Sequence, residues 1–342
     1  MSETAPDPQT AAATPEPKFL ERVVVTGATG FVGRHLVREL VARGHRPVCL
    51  VRDRDRLTEV MDKIPGDRVE SVACSLFDGP ALAKAMEGAD AVIHLVGIIF
   101  EHPLRGQTFE RVHVETTKQM LDAANSVGIR RFVQMSALGS RPGAISAYHQ
   151  TKWRAESLVR ESGLDSTIFR PSIIHGPDGE FMQMMKVFVC RAMVPVFGFI
   201  PAPFPVIPYF GDGSHRVQPV DVRDVASCFV TALSSPQTIG RAFELGGPEA
   251  YTWKELYRIC RSLIPGAKRW KPIVGIPVWK AKLLAATVMK LPILPEILRF
   301  NSGQVQMSQE DSTCDSRAVE EAFGIRLRSF REELAEYAAL ID

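Results

Sequence analysis

Val23-Val24-Val25-Thr26-Gly27-Ala28-Thr29-Gly30-Phe31-Val32-Gly33-Arg34 is the stretch on which the reading of this chain turns. Three consecutive valines suit a strand buried on both faces. The strand runs directly into three glycines spaced three apart. Gly27 permits a tight turn, Gly30 lets the backbone approach a pyrophosphate, and Gly33 lets the next helix pack closely on the strand. That helix is legible from Arg34 to Arg43, where Leu36, Val37, Leu40 and Val41 share one face and Gly44 suits the stop. Phosphates fit at such a helix start, against unpaired N–H groups and the positive end of the dipole. Strand, glycine turn and amphipathic helix in this order predict a dinucleotide-binding site.

The same rhythm continues outward. Further strands are expected at Pro47–Val51, Val69–Ala73, Ala91–Val96 and Arg131–Met135, with helices around Pro80–Glu87 and Phe109–Val127. Alternation of this kind means βαβ units, so the fold class is α/β: a Rossmann-type doubly wound parallel sheet. Beyond about Arg170 the pattern loosens into short strands at Val217–Asp221 and Ala242–Leu245 around a helix from Val222 to Leu233. Thr252 with Glu255 forms a capping box, and Ser329 with Glu332 repeats the pattern. The expected organisation is a leader over 1–18 and a nucleotide-binding domain over 19–245 with a lobe insertion at about 178–216. A mainly helical C-terminal lobe over 246–342 completes it.

The 342 residues carry 41 Lys and Arg against 39 Asp and Glu, a net charge of +2 that argues against bulk nucleic-acid binding. Cys49, Cys74, Cys190, Cys228, Cys260 and Cys314 are scattered and read as core thiols of a reducing compartment. No metal-ligand constellation stands out. His94 reads as a core residue, while His113, His149 and His175 fall near the expected cofactor cleft. The leader is rich in Pro, Thr and Ala and reads as disordered, and no apolar run is long enough to span a bilayer. Charge is unevenly spread, however. Phe181–Gly211 has no acidic residue and is dense in Met, Phe and Pro, which fits either lobe packing or an apolar substrate mouth. Leu256–Pro295 also lacks acids. It carries Arg258, Arg261, Lys268, Arg269, Lys271, Lys280, Lys282 and Lys290 with Trp270 and Trp279, which fits either a packed helix with solvated lysines or an anionic membrane surface.

The residue after the second strand chooses between cofactors. Arg52 comes first there and favours the 2′-phosphate of NADP(H) over NAD(H), although Asp53 beside it suits a free ribose. After the fifth strand, Tyr148 and Lys152 stand four apart, on one face of a helix. A phenol titrates near 10, and an adjacent ammonium is expected to bring it down towards a useful range.

TGATGFVG at Thr26–Gly33, YHQTK at Tyr148–Lys152 and RPSIIHGP at Arg170–Pro177 together resemble the short-chain dehydrogenase/reductase superfamily in its extended or atypical, epimerase/dehydratase-like branch. VQPVDVRDVA at Val217–Ala226 and FELGGP at Phe243–Pro248 are most similar to proteins related to the NAD(P)H-binding accessory subunit of respiratory complex I. The resemblance implies cofactor contacts from Gly27, Thr29, Gly30, Phe31, Val32, Gly33, Arg52, Leu76, Val96, Gly97, Lys152, Pro171, Ser172 and Ile173. It implies Tyr148 as the acid–base residue, Lys152 as its partner and Ser136 as the candidate hydroxyl. The sequence departs from the pattern after Ser136, where Ala137 and Leu138 replace the usual substrate-binding Ser or Thr, leaving Ser136 or Ser140 to substitute.

The function expected from this reading is an NAD(P)H-dependent oxidoreductase. Its substrate is a lipophilic carbonyl/alcohol pair, quinone- or isoprenoid-related, met at a membrane surface. The alternative is a non-catalytic NADPH-binding subunit of a respiratory or quinone-pathway complex. The expected location is cytoplasmic, with peripheral attachment to the inner face of the membrane.

Overall fold

A computed structural model describes residues 21–61, 68–196, 200–290 and 295–341; the expected leader over 1–18 lies outside them. Six strands of the main sheet come in chain order: β1 (Arg22–Thr26), β2 (Arg46–Val51), β3 (Glu70–Ala73), β4 (Ala91–His94), β5 (Arg131–Met135) and β6 (Asp165–Pro171). The intervening helices are α1 (Phe31–Ala42), α2 (Arg54–Val60), α3 (Gly79–Met86), α4 (Thr116–Ser126) and α5 (Ala147–Glu161). Arg241–Leu245 adds a seventh strand beside β6, giving the order Arg241–Leu245, β6, β5, β4, β1, β2, β3. Every pairing is parallel, with Val23 opposite Pro47 on one side and Ala91 on the other. The chain winds outward from β1 to β3 and returns to β4 on the opposite side of β1. The crevice at that reversal, outside the carboxyl ends of the strands, is where such sheets bind ligands.

The valine run owes its composition to having both faces covered. Val23 and Val25 pack with Leu36, Val37 and Leu40 of α1 and with Val225 and Phe229 of the helix Val222–Leu233. Val24 packs on the other face with Leu82, Met86, Val92, Met120 and Phe132. A third cluster forms the lobe, where Met182, Met185 and Val189 meet Ile207, Leu256, Tyr257, Cys260, Phe330 and Leu334. Much of the oily segment is therefore core. The C-terminal region is shared between the two bodies. Phe323 packs on Phe169 and Phe243 at the sheet's edge, whereas Tyr337 lies in the lobe cluster.

Strand β6 was not legible in advance, because Asp165, Ser166, Thr167 and Arg170 interrupt its apolar pattern. Buried polar partners explain them: Arg131 donates to the Asp165 carbonyl and to Thr167 Oγ1 at 2.7 Å, and Thr167 donates to the Thr238 carbonyl at 2.9 Å. The Thr252–Glu255 capping box forms with both of its bonds. Its expected repeat does not, since the Ser329 hydroxyl makes no cap bond to the helix Phe330–Tyr337. The helix expected over Phe109–Val127 opens instead with a π-helical turn at Glu110–Glu115 before α4.

Gly33 holds this frame together at its tightest point. A Cβ there would stand 2.1 Å from the Gly27 carbonyl oxygen and 2.7 Å from Ala28 Cα. Gly33→Ala should therefore cost about 1–3 kcal/mol of stability by overpacking. The readout is the urea midpoint of the full chain, and a midpoint equal to wild type would refute this account of the turn.

Candidate active site

The β1–α1 turn is built by backbone alone. Gly27 adopts φ +75°, its carbonyl accepts the Gly30 amide at 3.0 Å, and the Gly30 carbonyl accepts the Arg34 amide at 3.0 Å. Gly30 caps α1 without a side-chain acceptor, and no acidic residue occupies the first turn. The first-turn N–H groups are thus left to an outside anion, so the cradle fits a dinucleotide pyrophosphate. Thr29 and Val32 stand half-buried within this turn. Phe31 points across to a second loop, where a Cβ on Gly176 or Gly179 would come within 3.0 Å of its ring. That loop is also held by charge, because Asp178 accepts from Arg34 at 2.8 Å and lies 3.0 Å from His35 Nε2. Burial opposes the Asp178 carboxylate, but the bonds from His35 and Arg34 outweigh it and hold the carboxyl well below its usual range. Sequence reading missed this clamp, which joins residues 144 positions apart.

The other nucleotide candidates line the carboxyl edge of the sheet. Arg52 is exposed just past β2. Its neighbour Asp53 caps α2, its carboxylate accepting the Asp55 amide at 2.9 Å. Leu76, past β3, packs towards the core of the second sheet face. Val96 and Gly97 follow β4. A Cβ on Gly97 would lie 2.7 Å from Lys152 Nζ, so the absence of a side chain lets the lysine approach the strand end. Pro171 closes β6, Ile173 packs on the lobe core, and the Ser172 hydroxyl lies 3.1 Å from both the carbonyl and the hydroxyl of Ser312.

Tyr148 and Lys152 rise from the first turns of α5, which Ser146 caps by accepting the His149 amide. The Tyr148 ring is enclosed by Phe109, His113 and His149 at centroid distances of 5.9, 5.4 and 5.2 Å. Burial pushes its phenol up to about 12, reversing the expectation that Lys152 lowers it. At neutral pH the group is therefore a proton donor, not a phenolate. Lys152 is buried with Nζ 3.3 Å from the Met135 carbonyl. Burial pulls its ammonium down to about 8, with Glu156 opposing the shift.

His113, carried on the π-helical turn, ties the strand end to α5. Its Nδ1 lies 2.9 Å from Thr151 Oγ1, and its Nε2 lies 3.1 Å from both the amide and the carbonyl of Ile98. Burial and the Lys152 ammonium push it down to about 2, so it stays neutral. Of the three histidines expected near the cleft, His113 and His149 flank Tyr148, whereas buried His175 bonds the Tyr337 hydroxyl at 2.9 Å in the lobe. His94 is a core residue on Thr26 Oγ1 at 2.7 Å.

Ser136 is placed differently from Tyr148. Its hydroxyl donates to Glu156 Oε1 at 2.5 Å and lies 3.3 Å from Ser140 Oγ. Glu156 was missed in the sequence, although its place one helical turn beyond Lys152 is the signal that marks it.

A family profile described as NAD(P)H-binding matches residues 27–186. The chain is 31% identical over 304 residues to the Arabidopsis thaliana protein named NADH dehydrogenase (ubiquinone) 1 alpha subcomplex subunit 9, mitochondrial, covering 86% of this chain and 71% of that protein. It is 34% identical over 239 residues to the ceramide reductase of Caulobacter vibrioides, covering 69% and 68% respectively. Its fold is shared with the solved structure of MoeE5 in complex with UDP-glucose and NAD, at a TM-score of 0.68 and 19% identity over 93% of this chain and 98% of that one. The glycine turn, the parallel sheet and these likenesses agree: the chain belongs to the NAD(P)H-binding family that includes the NADH dehydrogenase (ubiquinone) 1 alpha subcomplex subunit 9.

Proposed function

We propose that the protein is an NADP(H)-dependent oxidoreductase acting on a lipophilic carbonyl/alcohol pair. The observation that carries this reading is Tyr148, a protonated phenol in an aromatic box, with Lys152 a helical turn away against Gly97. Among the described residues none hydrogen-bonds the Tyr148 hydroxyl, which leaves it for a substrate oxygen. A dinucleotide held by the glycine turn would supply the hydride for the carbonyl carbon. Tyr148 gives its proton to the carbonyl oxygen, completing the alcohol, and the Lys152 ammonium stabilises the phenolate left behind until solvent reprotonates it. The oxidative direction reverses each transfer. The ceramide reductase relative supports both the reaction class and a lipid-like substrate.

The preference for NADP(H) rests on the two side chains past β2. Asp53 is turned to its capping bond, while Arg52 is exposed and, among the described residues, has no ion-pair partner. Attachment to an anionic membrane surface rests on Trp270 and Trp279, 61% and 65% exposed, and Leu283, 58% exposed. In the same stretch of sequence Lys268, Arg269, Lys280 and Lys282 are exposed, and no acid lies between Leu256 and Pro295. Lys271 is excluded from that surface because it is fully buried, donating to the Phe188 and Arg191 carbonyls at 2.6 and 2.9 Å. No helix among the described residues is long and apolar enough to cross a membrane.

A second reading, an NADPH-holding subunit of a respiratory complex, is favoured by the complex I relative and by Ser136. The Ser136 hydroxyl is engaged by Glu156, and Ala137 and Leu138 stand where the family resemblance implies a substrate-binding Ser or Thr.

Turnover separates the two readings. Wild type with NADPH and a panel of lipophilic ketones and quinones should show single-turnover reduction, and Tyr148→Phe should lower the rate about 10²–10⁴-fold. Equal rates in the two proteins would remove Tyr148 from the chemistry, and no turnover with tight NADPH binding would select the subunit reading. Arg52→Ala should weaken NADPH about tenfold or more through the loss of charge-assisted bonds, while leaving NADH nearly unchanged in a fluorescence titration. An equal loss for both nucleotides would sink the argument from Arg52. In flotation assays at low salt the protein should rise with anionic vesicles but not with neutral ones. Trp279→Ser together with Lys280→Glu and Lys282→Glu should abolish that binding, and undiminished flotation of the triple variant would exclude this surface.

A further inference from the structure

Glu156 is a fully buried carboxylate, and an isolated charge in that position would be expelled as its neutral acid. It is not isolated. Arg170 of β6 grips both oxygens at 2.8 and 2.7 Å, Arg160 of the same helix as Glu156 adds a further bond, and Ser136, just past β5, donates to Oε1 at 2.5 Å. The two guanidiniums are themselves placed by Trp153, whose ring lies 4.8 Å from Arg160 and 5.6 Å from Arg170. Arg170 also reaches Glu244 of the seventh strand at 3.6 Å. Strand β6, the residue just past β5 and α5 itself thus supply the donors that converge on one anion.

A carboxylate so heavily braced has more donors than a structural pairing with Arg170 requires, and its place in the helix gives it a target. Lys152 lies four residues earlier on the same face of α5, and the two side chains bond adjacent residues at the end of β5, Lys152 the Met135 carbonyl and Glu156 the Ser136 hydroxyl. Around the lysine the other elements offer little to hold a positive charge. β5 supplies one carbonyl, that of Met135. The π-helical turn presents His113 and β4 presents His94, and both are kept neutral by burial. Tyr148 on its own helix is a protonated phenol.

We propose that Glu156 is a positioning residue of the site: fixed as an anion by Arg170, Arg160 and Ser136, it keeps the buried Lys152 ammonium charged beside Tyr148. Its meaning for catalysis rests on the acid–base reading above, but the coupling between the two side chains does not. Burial alone drives Lys152 towards the neutral amine, and Glu156 is the group that opposes it. The Ser136 hydroxyl serves the anion rather than a substrate.

The test reads the lysine directly and needs neither cofactor nor substrate. The full chain is labelled with ¹³Cε-lysine and titrated by NMR, and the Lys152 signal is assigned by its loss in Lys152→Arg. Wild type should titrate at about 8. In Glu156→Gln the midpoint should fall by about one pH unit or more, a tenfold change in the protonation constant. In Arg160→Ala, which removes a partly exposed cation from the anion, the midpoint should rise. An unmoved midpoint in folded Glu156→Gln overturns the proposal. If thermal melting shows that this variant does not fold, an unmoved midpoint in Arg160→Ala overturns it instead. Failure of the Tyr148→Phe turnover prediction would leave these shifts intact, so the two ideas fall separately.

Discussion

The contact between the start of α1 and the Gly27 carbonyl governs everything built around it. A helix can present its N-terminal N–H groups to a phosphate only if it begins hard against the strand that aims it. Here that closeness leaves no room for a Cβ at Gly33. The same helix then carries Phe31, Arg34 and His35 outward to the loop at Gly176–Gly179, so one element serves both the phosphate cradle and the approach to the lobe. That loop leads directly into the helix Glu180–Cys190, whose Met182, Met185 and Val189 form part of the lobe core. Placement of α1 therefore reaches the lobe through one carboxylate and one aromatic ring.

At the opposite side of the crevice the organising quantity is charge in a poorly solvated place. Tyr148, Lys152 and His113 are each pushed by burial towards their neutral forms. The shifts differ in consequence. A phenol raised to about 12 stays protonated through neutral pH, a lysine lowered to about 8 stays mostly charged, and an imidazole at about 2 never gains its second proton. One environment thus yields a proton donor, a cation and a neutral brace side by side. Glu156, gripped by Arg160 of the same helix and by Arg170 of β6, is the anion that opposes the shift at Lys152.

Local periodicity explains why some of this was readable beforehand. Tyr148 and Lys152 share a helix face because they are four apart, and the glycine turn announces itself because its three positions lie within seven residues. Strand β6 escaped notice since its polar residues look like a loop until Arg131 and Thr238 are brought to them. The assignment of Met182 and Met185 to core or substrate mouth was open for a similar reason. A Met-rich helix looks the same in sequence whichever surface it meets, and only packing against Leu256, Tyr257 and Phe330 decides it. Lys271 gives the sharpest contrast. In the sequence it is one of eight cations in an acid-free run, yet it is fully buried on two backbone carbonyls and the Phe204 ring.

The sequence by itself determined the parallel α/β class, the phosphate turn and the tyrosine–lysine pair. The turn and the pair are encoded by residues within one or two turns of one another, and the class by the repeated alternation of such local patterns along the chain. The tertiary structure alone decided the ionisation of those groups, the engagement of Ser136, the Asp178 clamp and the membership of the seventh strand. Burial and charge pairing depend on which distant segments exclude water from a side chain, and no local pattern carries that information.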